Sequence, residues 1–294
     1  MGVRMSIETK ATSTRFVKLA VTTALATTAL TGCTGKVAPS HAYSAEHAET
    51  ALLKGKASKA VEYAEAAVLA APRDANTRTL LGNAYLEDGR FASAATTFAE
   101  AIELGDTAPR TIISYALSQI AIGDQAGALG TLQQFDSMLD PADFGLAVAL
   151  AGRPDHGVNV LSNALRSGQN TPKVRQNLAY AYALQGNWRA ARVMVSEDVP
   201  ANEVGDRISQ WAAMIQPEAF TTRIANLIGV RPQADPGQPQ MLALANHPSV
   251  DMLAAAEMEE PVASAAQSDF AFAAELPPVG PATASMDSAD ASLA

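Results

Sequence analysis

Alanine, leucine and aromatic side chains recur at helical spacing through residues 41–229, the mark of helices that bury one face. Glycine breaks the pattern at Gly55, Gly89, Gly123, Gly152 and Gly186, at intervals of 34, 34, 29 and 34 residues. A glycine there can turn left-handed and end a helix without strain. The pattern predicts antiparallel helix pairs, each with a glycine turn at its centre. The short interval before Gly152 predicts a trimmed helix or loop. One such pair cannot bury its own apolar face, so successive pairs must stack.

The clearest copy starts near Ala75 and reads Leu81-Gly82-x-x-Tyr85, then Gly89, then Ala94-x-x-x-Phe98 and Ala101. With its period it resembles the tetratricopeptide repeat, except that Arg78 stands where that family has tryptophan. The first copy (about 41–74) has Ala60, Ala64, Ala67 and a closing Pro72, and the third (about 109–141) has Tyr115, Ala116, Ala128, Leu132 and Phe135. The fourth (about 142–171) is short, with Gly145, Leu161 and Ala164; the fifth (about 172–200) has Leu178, Ala179, Tyr182, Trp188, Ala191 and Val195. Gly82 and Ala94 are small where paired helices cross, Leu81, Tyr85 and Phe98 fill the space between pairs, and Pro72 stops a helix. The expected fold is all-α: a tetratricopeptide-repeat solenoid of about five helix pairs over 41–200. An irregular alanine-rich bundle is the alternative, against which the matched flanking residues speak.

Val204, Ile208, Trp211, Ala212 and Ile215, then Phe220, Ile224, Leu227 and Ile228, predict two capping helices over 201–229, with Trp211 as a core anchor. From 230 to 294 prolines multiply and periodicity fails, predicting a disordered tail rich in acid, proline and alanine. Phe270 and Phe272 within it read as a docking motif or as part of an inert linker.

Composition agrees with helices packed closely: hydrophobic residues make up 48% of the chain but aromatics only 5%. The formal charge is −9, and from residue 231 onward Arg231 faces nine acids, so the tail carries 1 − 9 = −8 and everything before it −1. Nothing in that distribution would neutralise a run of phosphates, which argues against nucleic acid as a partner.

Residues 1–32 read as a secretory signal: Arg4, Lys10, Arg15 and Lys18, then the uncharged Leu19–Leu30, then small residues. Twelve helical residues would span about 18 Å, short of the ~30 Å hydrocarbon core. Leu30-Thr31-Gly32-Cys33 resembles the bacterial lipobox. That resemblance implies diacylglyceryl transfer to the Cys33 thiol, cleavage before it, and a linker over 33–40. Thr34 in place of aspartate implies sorting to the outer membrane, with the chain facing the periplasm. A plain cleaved signal with an incidental cysteine is the alternative.

Candidate chemistry is sparse. His41, His47, His156 and His247 are scattered, the one cysteine is assigned to lipid, and no HExxH, GxSxG or phosphate-binding glycine loop occurs. The sequence therefore suggests no enzyme, no metal and no cofactor. Stacked pairs instead present a concave face lined by their first helices. By resemblance to the repeat family, that groove takes Thr79, Asn83 and Leu86 from the second repeat, Ile113, Leu117 and Ile120 from the third, Leu146 from the fourth, and Gln176 and Tyr180 from the fifth. It is mostly apolar and suits an amphipathic helix or extended apolar peptide, although any one of these residues could serve packing between repeats.

Residues 176–214 carry a more specific resemblance. Gln176-Asn177-Leu178-Ala179, Leu184-Gln185-Gly186, Asp198-Val199-Pro200 and a following helix with Trp211 resemble the Flp (tight adherence) pilus assembly TadD family. Its members follow a QNLAxAxxLxG first helix with a DLP turn and a capping helix. Val199 and the short fourth repeat are the departures. The resemblance, over about 33–215, implies a pilotin-like outer-membrane lipoprotein scaffold for a pilus or secretion channel, with the secretin as the expected partner. The alternative keeps the anchor and changes the client, to outer-membrane protein insertion or envelope polysaccharide export.

Overall fold

The computed structural model describes residues 40–216 and 218–259, so the expected signal with Cys33, and residues 260–294, lie outside the described residues. Ten helices form five antiparallel pairs: α1 (His41–Leu53) with α2 (Ala57–Ala70), α3 (Ala75–Glu87) with α4 (Phe91–Glu103), and α5 (Pro109–Ala121) with α6 (Gln125–Gln134). They continue with α7 (Pro141–Leu150) and α8 (Pro154–Arg166), then α9 (Pro172–Leu184) and α10 (Trp188–Val195). Each pair packs on the next, α2 against α3, α4 against α5 and α8 against α9. This is a tetratricopeptide-repeat solenoid, and no strand occurs among the described residues.

Local chemistry sets the helix ends. The Asp74 carboxylate accepts from Thr77 N and that of Asp124 from Gly127 N, both at 2.8 Å, and Pro109, Pro141, Pro154 and Pro172 open their helices where a missing N–H costs nothing. Every glycine turn inside a pair closes with the same bond. The residue after the glycine donates to a carbonyl five residues back: Lys56 to Ala51, Arg90 to Tyr85, Asp124 to Gln119, Arg153 to Val148 and Asn187 to Tyr182, at 2.8–3.1 Å. The glycines have φ between 63° and 88°, a geometry that glycine adopts without strain.

Small residues set how closely paired helices cross. A Cβ on Gly82 would lie 2.7 Å from the Phe98 ring. In the fourth pair the contact is tighter still, and a Cβ on Gly157 would meet the Gly145 carbonyl at 2.4 Å. The deficit before Gly152 falls on both sides of a 3₁₀ turn (Asp136–Met138), where α6 and α7 have 10 residues each against 13 in α5.

Two regions depart from the sequence expectation. Helix α11 (Ala201–Met214) packs on α9 and α10 and buries Val204 and Trp211. Helix α12 (Phe220–Ile228), expected to help close the open end, instead turns back and packs against α5. There it buries Ile224 and Ala225, and Thr221 Oγ1 donates to the Ala121 carbonyl at 2.7 Å, using an acceptor that the end of α5 leaves free.

The second departure is the start of the tail. Residues 230–249, expected to be disordered, form an ordered strap across the second repeat. Gln233 N donates to Gly89 O at 3.1 Å, Asp235 takes Ser93 N and Oγ at 2.8 and 2.5 Å, and Leu242 and Leu244 are 1% and 4% exposed. Arg73 Nη1 donates to His247 O at 2.9 Å, after which α13 (Val250–Glu259) begins with Val250, Met252 and Leu253 exposed. The physical reason lies in the prolines. Pro232, Pro236 and Pro239 restrict the free chain to extended conformations, so docking removes less entropy, and the buried leucines, the Asp235 carboxylate and the bonds to Gly89, Arg73, Arg78 and Glu100 hold it.

Candidate functional site

The first helices of the pairs line one face, and the structure distributes the nine expected groove residues unevenly over it. Asn83 is half-buried and lines an open depression with Glu49, Leu52, Leu53, Glu87 and Arg110. Leu53 is 90% exposed there. Ile113, half-buried, lines a second depression with Arg110, Leu139 and Asp143, and Leu117 is half-buried against the core. Leu86 and Ile120, at 8% and 0% exposed, are packing residues and offer a ligand almost nothing.

Thr79 is engaged within the repeat stack. Its hydroxyl donates to the Asp106 carboxylate, which also takes Thr111 Oγ1 at 2.9 Å and Ala108 N at 3.0 Å. Burial alone would raise the Asp106 carboxyl, but these donors hold it below the usual carboxylate range. Thr79 therefore latches the second repeat to the third.

Leu146, Gln176 and Tyr180 converge on a cavity of about 210 Å³ roofed by α11 and α12. Tyr180 and Trp211 meet edge to face with ring centroids 5.1 Å apart and form its apolar floor. Arg223 of α12 is 6% exposed and reaches the same cavity, its Nε and Nη2 donating to the Met214 and Gln216 carbonyls at 3.3 and 2.7 Å. Burial pushes its guanidinium below the usual arginine value. Burial likewise pushes the Tyr180 phenol up, with Arg223 opposing. The phenol thus stays a neutral donor at physiological pH.

The strap meets a second buried arginine. Arg78 is 0% exposed, ion-paired with Glu100, and donates to Pro72 O at 2.8 Å and to the strap carbonyl of Leu242 at 3.0 Å. Glu100 in turn accepts from Leu244 N at 2.7 Å and Gln238 Nε2 at 3.0 Å. Burial would raise the Asp235 carboxyl, but Ser93, the Gly237 amide and the nearby Arg90 hold it below its ordinary range. At the far end of the solenoid, hydrogen bonding from Arg175 lowers Asp198 in the turn before α11.

Sequence reasoning missed Arg223 and the strap. Arg78 was visible as a departure from the repeat pattern, but its partners Glu100 and Leu242 lie 22 and 164 residues away. For Arg223 no sequence signal exists, because its burial comes from the reversal of α12.

Among the described residues no group of three His, Cys, Asp or Glu side chains could hold a metal ion, and no helix is long and apolar enough to cross a membrane. The arrangement supplies shape, apolar contact and hydrogen-bond donors, the equipment of a binding surface. No family model matches the chain, and no curated protein is detectably similar to it. Solved structures similar in fold include that of the MamA protein, 16% identical, TM-score 0.44, covering 58% of this chain and 94% of that one. MamA 41-end from Desulfovibrio magneticus RS-1 is 15% identical, with TM-score 0.43 and 59% and 95% covered. YrrB, described as a TPR protein with an unusual peptide-binding site, is 16% identical, with TM-score 0.41 and 63% and 90% covered. At scores this low the likenesses carry no argument, and the repeat architecture rests on the helix pairs themselves.

Proposed function

We propose that the chain is a non-catalytic, lipid-anchored scaffold at the periplasmic face of the outer membrane that assembles a Flp/Tad-type pilus or secretion channel by holding protein partners on its first-helix face. The observation that carries the binding role is the open stretch of that face between α1, α3 and α5. Leu53 is 90% exposed there beside Leu52, and the two leucines are ringed by Glu49, Asn83, Glu87 and Arg110, an apolar centre with a polar and charged rim that suits a protein partner. The anchor is supported by the lipobox-like run ending at Cys33, and the client by the TadD-like residues 176–214. Stacked helix pairs build such extended surfaces as a direct result of their per-repeat rotation.

Deleting the gene tests the client: secretin multimers in the envelope are expected to fall, and normal multimers with normal piliation reject the pilus assignment. A Cys33→Ser chain is expected to leave the membrane fraction or to stay unprocessed, and its continued anchoring in processed form rejects lipidation.

A further inference from the structure

Arg223 is the observation that reaches furthest. Buried charges in proteins are paired, because an uncompensated ion in a poorly solvated site is costly. Arg78 pairs with Glu100 and Arg175 with Asp198. Arg223 is as buried as a core residue, yet among the described residues no carboxylate lies within ion-pair distance of it. The Met214 and Gln216 carbonyls satisfy two of its five N–H groups and the Phe220 ring centroid lies 5.8 Å from its Cζ, but none of these brings a formal negative charge. The other three include the Nη1 pair, and the side chain lines the cavity under α12.

We infer that this cavity is a binding pocket for a carboxylate carried on a short peptide segment of a partner protein, with Arg223 as the anion-binding group. The inference rests on the scaffold reading above and names the chemistry that one part of the first-helix face recognises. A guanidinium fork matches a carboxylate in plane and spacing, and the match is strongest where water is excluded. The neutral Tyr180 phenol stands beside it. The carboxamides of Gln176, Gln210 and Asn226 line the cavity and suit the N–H and C=O groups of an extended chain, while Leu146, Met214 and Leu227 suit an apolar side chain. At about 210 Å³ the space is smaller than the roughly 300–1,000 Å³ of small-molecule sites. It takes about one residue of a peptide, and a whole helix is too large for it.

The test titrates the full chain with short capped peptides, following Trp211 fluorescence in a Trp188→Phe background and heat by calorimetry. Ac-Ala-Ala-Leu with a free C-terminus and Ac-Ala-Glu-Ala amide present the carboxylate from the two possible sources. Ac-Ala-Ala-Leu amide and Ac-Ala-Gln-Ala amide are their neutral twins. At least one acid is expected to bind saturably and at least tenfold more tightly than its twin, and which acid wins tells a chain terminus from an internal side chain. Arg223→Gln is expected to erase that tenfold preference. Because Arg223 also ties α12 to the α11 end, Leu227→Trp, at an exposed position on the cavity lining and followed by heat alone, serves as the second variant and is expected to weaken the acid by the same factor. Equal binding of acids and neutral twins, binding unaffected by Leu227→Trp, or inorganic phosphate binding as tightly as either acid would overturn the proposal. If gene deletion abolishes secretin multimers while the Leu227→Trp strain keeps them, the scaffold reading stands and the pocket has no part in it.

Discussion

The second repeat and the cavity under α12 each bury an arginine, and the molecule completes one site but not the other. Arg78 is enclosed by its own chain: Glu100 supplies the charge, and Pro72 and Leu242 supply carbonyls. Arg223 receives two carbonyls and the face of the Phe220 ring, and no carboxylate among the described residues. A site closed in cis makes each of its partners costly to remove, while a site left short of a counter-ion is the one proposed above to take a ligand. The contrast divides the solenoid into a strapped region built to stay shut and a lidded region whose electrostatics are unfinished.

The largest expected effect breaks the first half of that contrast. Glu100→Ala leaves Arg78 buried without its partner and is expected to destabilise the fold by about 3–5 kcal/mol, measured by chemical denaturation. Arg223→Met orphans no buried carboxylate, so loss of its bonds to the Met214 and Gln216 carbonyls is offset by relief of desolvation, and a cost under about 1.5 kcal/mol is expected. Equal costs for the two variants would erase the distinction between the regions.

A smaller effect isolates the strap. Gly89 and Gly186 have φ of 76° and 81°, so alanine at either is expected to cost about 1–2 kcal/mol in backbone strain. At Gly186 a Cβ meets nothing within 4 Å, whereas at Gly89 it would lie 2.0 Å from the Arg231 carbonyl. Gly89→Ala is therefore expected to expel the strap and to deprotect the Ser93 amide in hydrogen exchange. Gly186→Ala is expected to leave that amide protected.

The smallest effect is in the strap's own electrostatics. Asp235 has a lowered folded-state pKa, so its contribution is complete above the unfolded carboxylate value of about 4 and is lost as pH falls through the lower folded value. Hydrogen exchange is expected to show the strap loosening below about pH 4 while the helix pairs hold. Asp235→Asn is expected to cost about 1 kcal/mol at neutral pH and to abolish that acid-dependent loosening.

Much of the architecture is legible in the sequence. Helix pairs with left-handed glycine turns follow from residues within five positions of one another, as the repeated bond from Arg90 to Tyr85 shows. The shortening of the fourth pair was legible as a missing interval, though not that α6 and α7 would share it. Of the nine expected groove residues, Asn83, Ile113, Leu146, Gln176 and Tyr180 border depressions, while Leu86 and Ile120, apolar like Ile113 and Leu146, turn inward. Periodicity assigns a residue to a face, but it cannot say how much of that face a neighbouring helix covers.

What the sequence determined by itself is the local and the recurrent: the helix ends, the small residues at crossings and the stacking that short apolar pairs require. The tertiary structure alone decided that α12 folds back onto α5, that a proline-rich stretch binds across α4, and that one buried arginine found a carboxylate where another did not. Each of these contacts joins residues about 100 or more positions apart or depends on one that does. Its free energy comes from surfaces that come into being only after the solenoid has formed, and composition and periodicity register only the residues close by along the chain.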